Sequence, residues 1–81
     1  MKHVIKVLGG GCESCHNMYE WALKEVEKRG IDAEVKYITD LKDMLIYGYL
    51  RLPAIVVDER VKTKGFVDEE GICKLFDELE L

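Results

Sequence analysis

Cys12 and Cys15 stand three positions apart, directly behind three consecutive glycines and a short apolar stretch. On a helix that spacing puts two thiols one turn apart on the same face, close enough to pass between dithiol and disulfide. A cysteine at the first turn of a helix lies over backbone N–H groups that have no intrahelical partner, at the positive end of the macrodipole. Thiolate is favoured there, and the pKa of such a cysteine falls from about 8.5 into a range of about 3.5 to 7.5. Cys12 takes that position and is the expected attacking thiol. The expected reaction has Cys12 attack a partner disulfide, Cys15 attack the resulting mixed disulfide, and the partner leave reduced.

The residues around the pair are candidates for tuning it. Glu13 places a negative charge beside the thiols and opposes thiolate formation. Ser14 lies between them, and His16 falls on the first helical turn, where it either tunes the thiols or is simply solvated. Lys6 interrupts a strand whose two faces should both be covered; it either snorkels to the sheet edge or lies beneath Cys15 and assists proton transfer. The Gly9-Gly10-Gly11 run reads equally as a turn and as a place where a substrate meets bare backbone.

Two rival chemistries use the same thiols. The string Cys12-Glu13-Ser14-Cys15-His16 also spells a haem attachment site, with Met18 or Met44 as distal ligands, but the strand pattern leaves no haem pocket. A thiolate pair after a first strand suits a soft metal as well, and a soft-metal-binding module is the alternative reading. Such modules finish with a strand, whereas this sequence finishes with an amphipathic helix. Structural zinc needs four ligands, and nothing in the spacing obliges Cys73 and a histidine to join the pair. No metal and no cofactor is therefore expected, and Cys73 reads as a small buried hydrophobe.

The elements that must position the thiols follow from periodicity. Residues 2–8 are β-branched and stop at the glycines, which predicts a strand. Cys15, Met18, Tyr19, Ala22 and Val26 recur at helical spacing up to the stop at Gly30, which predicts a helix over 12–29. Residues 33–38 alternate as an edge strand does. Thr39 or Asp40 caps a second helix reaching Tyr47 and closed by Gly48. Pro53 opens the most apolar β-branched run, 54–57, a central strand; residues 58–60 turn it into a strand over 61–64. Ile72, Leu75, Phe76 and Leu79 make a final amphipathic helix capped near Asp68. Tyr19, Trp21 and Phe76 belong to the core, and Tyr49 is placed to flank the site. The order βαβαββα calls for an α/β fold with a four-stranded mixed sheet: the first two strands parallel through a right-handed crossover, the last two antiparallel.

Composition bounds the rest. Eighty-one residues, 48% hydrophobic and 35% charged, suit one globular domain spanning 1–81. A net charge of −4 leaves no basic stripe for a phosphate backbone, so nucleic acid is not an expected partner. The apolar run at the start is broken by Lys6 and falls short of the roughly 7 to 15 residues of an export signal, and no segment is long enough for a membrane span. The expected setting is the cytoplasm, and the expected state a monomer.

Leu8-Gly9-Gly10-Gly11-Cys12-Glu13-Ser14-Cys15, Gly30-Ile31-Asp32-Ala33-Glu34-Val35, Tyr47-Gly48 and Leu52-Pro53-Ala54 together resemble the small thioredoxin/glutaredoxin-like redox-active disulfide proteins, over nearly the whole chain. The resemblance implies a thioredoxin-like fold and a disulfide oxidoreductase acting on a protein disulfide. It makes Cys12 the attacking thiol, Cys15 the resolving thiol and Pro53 the cis-proline that faces them. The backbone of Leu52 would then be free to pair with an extended substrate segment, and Gly11, the last of the glycine run, is a substrate-binding candidate beside it. Glu13-Ser14 differs from the dipeptides typical of thioredoxins and glutaredoxins, so no reduction potential transfers. The Gly-Gly that helps glutaredoxins hold glutathione is missing, with only Gly65 nearby, and a protein reductase is the expected electron donor.

Overall fold

In the computed structural model, which describes residues 2–10, 13–47 and 53–79, strand β1 (His3–Leu8) sends alternate side chains into two separate apolar layers. Ile5 and Val7 face one layer and Leu8 the other, as a period of two requires. The chain continues through α1 (Glu13–Arg29), β2 (Ala33–Ile38), α2 (Leu41–Leu45), β3 (Ala54–Val57), β4 (Arg60–Lys64) and α3 (Glu69–Leu79). The sheet order is β2-β1-β3-β4, with β2 parallel to β1 and β3 antiparallel to both β1 and β4. The expected element order and mixed sheet are thus present, with β1 and β3 central and β2 at an edge.

Parity along the strands divides the helices between the faces. Ile5, Val7, Ile55 and Val57 pack with Met18 and Ala22 of α1 and with Ile72, Leu75 and Phe76 of α3. Leu8, Ala54 and Val56 pack with Met44 of α2 on the other face. All four residues of β3 are buried, which explains why that run carries no polar side chain. Each fully buried aliphatic or aromatic side chain contributes about 1.5–3 kcal/mol, so the larger layer under α1 and α3 dominates stability. On the outer edge, Arg60, Lys62 and Lys64 of β4 are exposed.

Local signals in the sequence close α1 and open α2 and α3 where expected. At the close of α1, Gly30 takes a φ of 63°; its N–H donates to the carbonyl of Glu27 and that of Ile31 to Val26. This pairing is the Schellman arrangement, and it needs a residue free of a Cβ penalty at Gly30. Asp40 caps α2 by accepting from the Lys42 N–H at 2.9 Å, and Asp68 caps α3 by accepting from the Gly71 N–H at 2.8 Å. α2 is shorter than expected: it stops at Leu45, because the Tyr47 N–H turns back to the carbonyl of Met44 and tightens the last turn.

The hairpin also differs from the expected three-residue turn. Asp58 and Glu59 alone connect β3 to β4, with φ of 49° and 68°, and the register shifts between Ile55 and Val56. Positive φ at both positions matches the twist of the flanking strands, but outside glycine it costs on the order of 1–3 kcal/mol per residue. Contacts with β1 offset that cost. The Asp58 N–H donates to the Val4 carbonyl at 2.8 Å, the Val4 N–H donates to Asp58 Oδ1 at 2.9 Å, and His3 Nδ1 lies 2.7 Å from Oδ2.

The Val4 N–H, and after it His3, hold the Asp58 carboxyl below the ordinary carboxylate range. A carboxyl whose folded pKa lies below its unfolded value, about 3.9, adds stability above that pH and loses it as pH falls. Asp58→Asn is expected to lower stability at pH 7, with the difference from the natural protein shrinking below about pH 4. Urea unfolding of both proteins between pH 7 and pH 3 checks this.

Candidate active site

Cys15 lies in the first turn of α1 and is 1% exposed. Its sulfur is seated on the backbone just past β1. The Gly9 N–H donates to the Ile38 carbonyl at 3.0 Å and carries the β1–β2 ladder one step further. A Cβ at Gly9 would stand 2.6 Å from Cys15 Cβ and 2.7 Å from its Sγ. Only a glycine lets the helix bring this thiol so close to the strand. Gly9 was legible as a turn residue, but its role as the seat of Cys15 was not, since the first turn of α1 is what fills the space.

Aromatic rings flank the same spot. The Tyr37 ring would lie 3.6 Å from that Gly9 Cβ, and it stacks on Tyr19 with centroids 5.3 Å apart and planes at 17°. His16 is more than half exposed, 6.5 Å from the Tyr19 ring and 6.4 Å from the Tyr37 ring, with Nε2 3.6 Å from Glu20. His16 is therefore a rim residue. Glu13 is exposed and Ser14 half-buried on the same turn. Tyr37 was not foreseen at the site; the signal was its parity with Val35, which puts both on the α1 face of β2.

Pro53 is buried and immediately precedes Ala54, the register partner of Leu8. Pro53, Gly9 and Cys15 thus share one end of the sheet. Gly11, Cys12, Tyr49 and Leu52 lie outside the described residues.

Lys6 is directed away from Cys15. It pairs with Val56 on the α2 face, opposite the face that α1 covers. Nζ donates to Glu59 Oε1 at 2.8 Å and to the Tyr47 hydroxyl at 2.9 Å, and that hydroxyl donates to Glu59 Oε2 at 3.0 Å. Glu59, then Tyr47, drive the Lys6 pKa upward against the opposing effect of burial. Lys6 stays cationic at neutral pH and is no proton relay there. Of its two expected readings, the snorkelling one describes the geometry, although the ammonium is held by a turn rather than by bulk water.

Cys73 is half-buried rather than buried, and Arg29 Nη2 reaches its carbonyl at 3.1 Å and its sulfur at 3.5 Å. The same guanidinium bridges to Asp77 at 2.8 Å and ties α1 to α3. Trp21 and Tyr19 are only partly buried, and Trp21 meets the exposed Phe66 edge-on at 6.1 Å. Among the described residues no three His, Cys, Asp or Glu side chains converge as a metal site. No described helix is long and apolar enough to cross a membrane.

A four-stranded mixed sheet carrying a buried cysteine at the start of its first helix has counterparts among known proteins. Residues 3–77 match the thioredoxin domain family. The chain is 34% identical over 62 residues to a thioredoxin of Methanocaldococcus jannaschii, covering 76% of this chain and 71% of the relative. It is 35% identical over 72 residues to a thioredoxin of Methanothermobacter thermautotrophicus, covering 88% and 94%. The crystal structure of Deadhead, a germline-specific thioredoxin of Drosophila melanogaster, superposes with a TM-score of 0.69 at 19% identity over 96% of this chain and 81% of that one. The chain belongs to the thioredoxin family, which places it in general terms among the disulfide oxidoreductases.

Gly9→Ala is expected to push Cys15 off its seat and cost about 1–3 kcal/mol, the usual range for overpacking. At Gly10, among the described residues, no atom beyond its chain neighbours lies within 4 Å of an added Cβ, so Gly10→Ala should stay within about 1 kcal/mol of the natural protein. Chemical unfolding of the two variants side by side checks the contrast.

Proposed function

We propose that this protein is a thiol-disulfide oxidoreductase that exchanges a Cys12/Cys15 dithiol for the disulfide of a partner protein. The observation that carries the reading is the buried Cys15 sulfur, seated on Gly9 at the head of α1 in a thioredoxin-family chain, with a second cysteine three positions earlier. Cys12, ahead of the seventeen-residue helix, is the nucleophile, and the N-terminus of that helix favours its thiolate. The Cys12 thiolate attacks one sulfur of the partner disulfide, forming a mixed disulfide and releasing the first partner thiolate. Cys15, deprotonated, then attacks the Cys12 sulfur; the Cys12–Cys15 disulfide forms and the second partner thiolate leaves. Two electrons have passed to the partner, and each released thiolate takes up a proton from water.

Pro53, Leu52 and Gly11 bind an extended substrate segment, which the backbone of Leu52 receives by strand-like pairing. Glu13, Ser14 and His16 adjust the thiols from the exposed turn. A protein reductase returns the pair to the dithiol, in a cytoplasm that keeps thiols reduced.

Reduction of insulin disulfides by the purified protein with dithiothreitol is the direct test. Cys12→Ser should abolish it, and Cys15→Ser should accumulate a mixed disulfide that mass spectrometry detects. An inert protein that instead binds zinc or copper(I) tightly at one equivalent would overturn the reading in favour of a metal module.

A further inference from the structure

The closed ring of hydrogen bonds among Lys6, Tyr47 and Glu59 has no part in the exchange chemistry, yet it joins three elements far apart in sequence. Lys6 comes from the centre of β1, Tyr47 from the turn that follows α2, and Glu59 from the hairpin turn. Glu59 holds a left-handed φ of 68° that disfavours any side chain, and it nevertheless occupies both carboxylate oxygens, one on the ammonium and one on the phenol. Its ring partner Tyr47 packs on Leu8, Met44, Ala54 and Val56, while Lys6 Nζ lies 5.6 Å from the Tyr47 ring centroid. Tyr47 is therefore held by the apolar layer it packs against and, at its hydroxyl, by two charged groups.

The position of Tyr47 gives this clamp a consequence. Six residues further along the chain stands Pro53, buried beside Ala54 at the end of the sheet where Cys15 sits. Glu59 lies beyond the opposite end of β3 (Ala54–Val57), on the order of 15 Å away by strand rise. We infer that Glu59, acting through Tyr47 and with Lys6 as its counter-charge, is a positioning residue: it anchors the end of α2 against the sheet and so fixes where the chain begins its approach to Pro53. The inference rests on the disulfide-exchange reading, in which Pro53 faces the substrate. A loosened anchor should weaken substrate binding and leave the thiol pair itself untouched.

Glu59→Gln and Tyr47→Phe test this, each read in three ways. Loss of one hydrogen bond should raise KM for insulin about two- to tenfold, with kcat nearly unchanged. The midpoint potential of the thiol pair should not move. Hydrogen exchange of the Asp43 and Tyr47 amides should quicken in both variants while β1 amides keep their protection. The double variant should add little to either single one, because both substitutions open the same ring. Unchanged exchange at those two amides overturns the inference. So does faster exchange with unaltered KM, or a uniform rise across β1 and β3 that marks general destabilisation. A natural protein that leaves insulin intact would strike the disulfide-exchange reading instead, and the exchange arm alone would then decide whether Glu59 anchors α2.

Discussion

A sulfur packed against bare backbone is the constraint from which the active end of this molecule is built. Because Gly9 has no Cβ, the first turn of α1 can settle onto the end of β1 until the Cys15 side chain occupies the space that any other residue would fill. The close approach orients the helix so that Met18 and Ala22 reach Ile5, Val7 and Ile55 in the larger core. It also brings the Tyr37 and Tyr19 rings beside the thiol. The helix start, the sheet end and the aromatic wall are thus one packing solution.

The other face of the sheet is organised differently. α2 covers only the part where Leu8, Ala54 and Val56 lie, and the remainder carries charge. There Lys6, Tyr47 and Glu59 satisfy one another, and Asp58 takes both the Val4 N–H and His3. The two carboxylates stand on consecutive residues of a turn whose backbone angles are unfavourable for both of them. Each is held below the ordinary carboxylate range by its partners on β1, Asp58 by the Val4 N–H first and Glu59 by Lys6 first. Charge rather than apolar cover stitches the hairpin to the central strand.

Local chemistry in the chain was enough to find every element, since each is announced within a few residues of itself. Gly30 closes α1, Asp40 and Asp68 open α2 and α3, and the all-apolar run at 54–57 marks the buried central strand. What escaped depends on contacts between distant positions. Strand periodicity gave Lys6 a face but not its partners, which lie 41 and 53 residues away. The hairpin turn is one residue shorter than its composition suggests, because pinning to Val4 and His3 compensates for the missing glycine. Cys73 was legible as a residue of the last helix, but Arg29, 44 positions earlier, decides its surroundings. At the site itself Cys15 and Pro53 fall at one end of the sheet, as their places in the chain imply, while Gly11, Cys12 and Leu52 lie outside the described residues.

The row of basic side chains on β4 works against that edge pairing with its own copy. An uncovered sheet edge offers unpaired backbone groups to any passing strand. Were two β4 strands to align antiparallel about Lys62, Arg60 of one copy would face Lys64 of the other and Lys62 would face its own counterpart. Like charges directly opposite destabilise such a pair, and the irregular register between Ile55 and Val56 further spoils the ladder. This edge of the sheet is thereby made self-repelling.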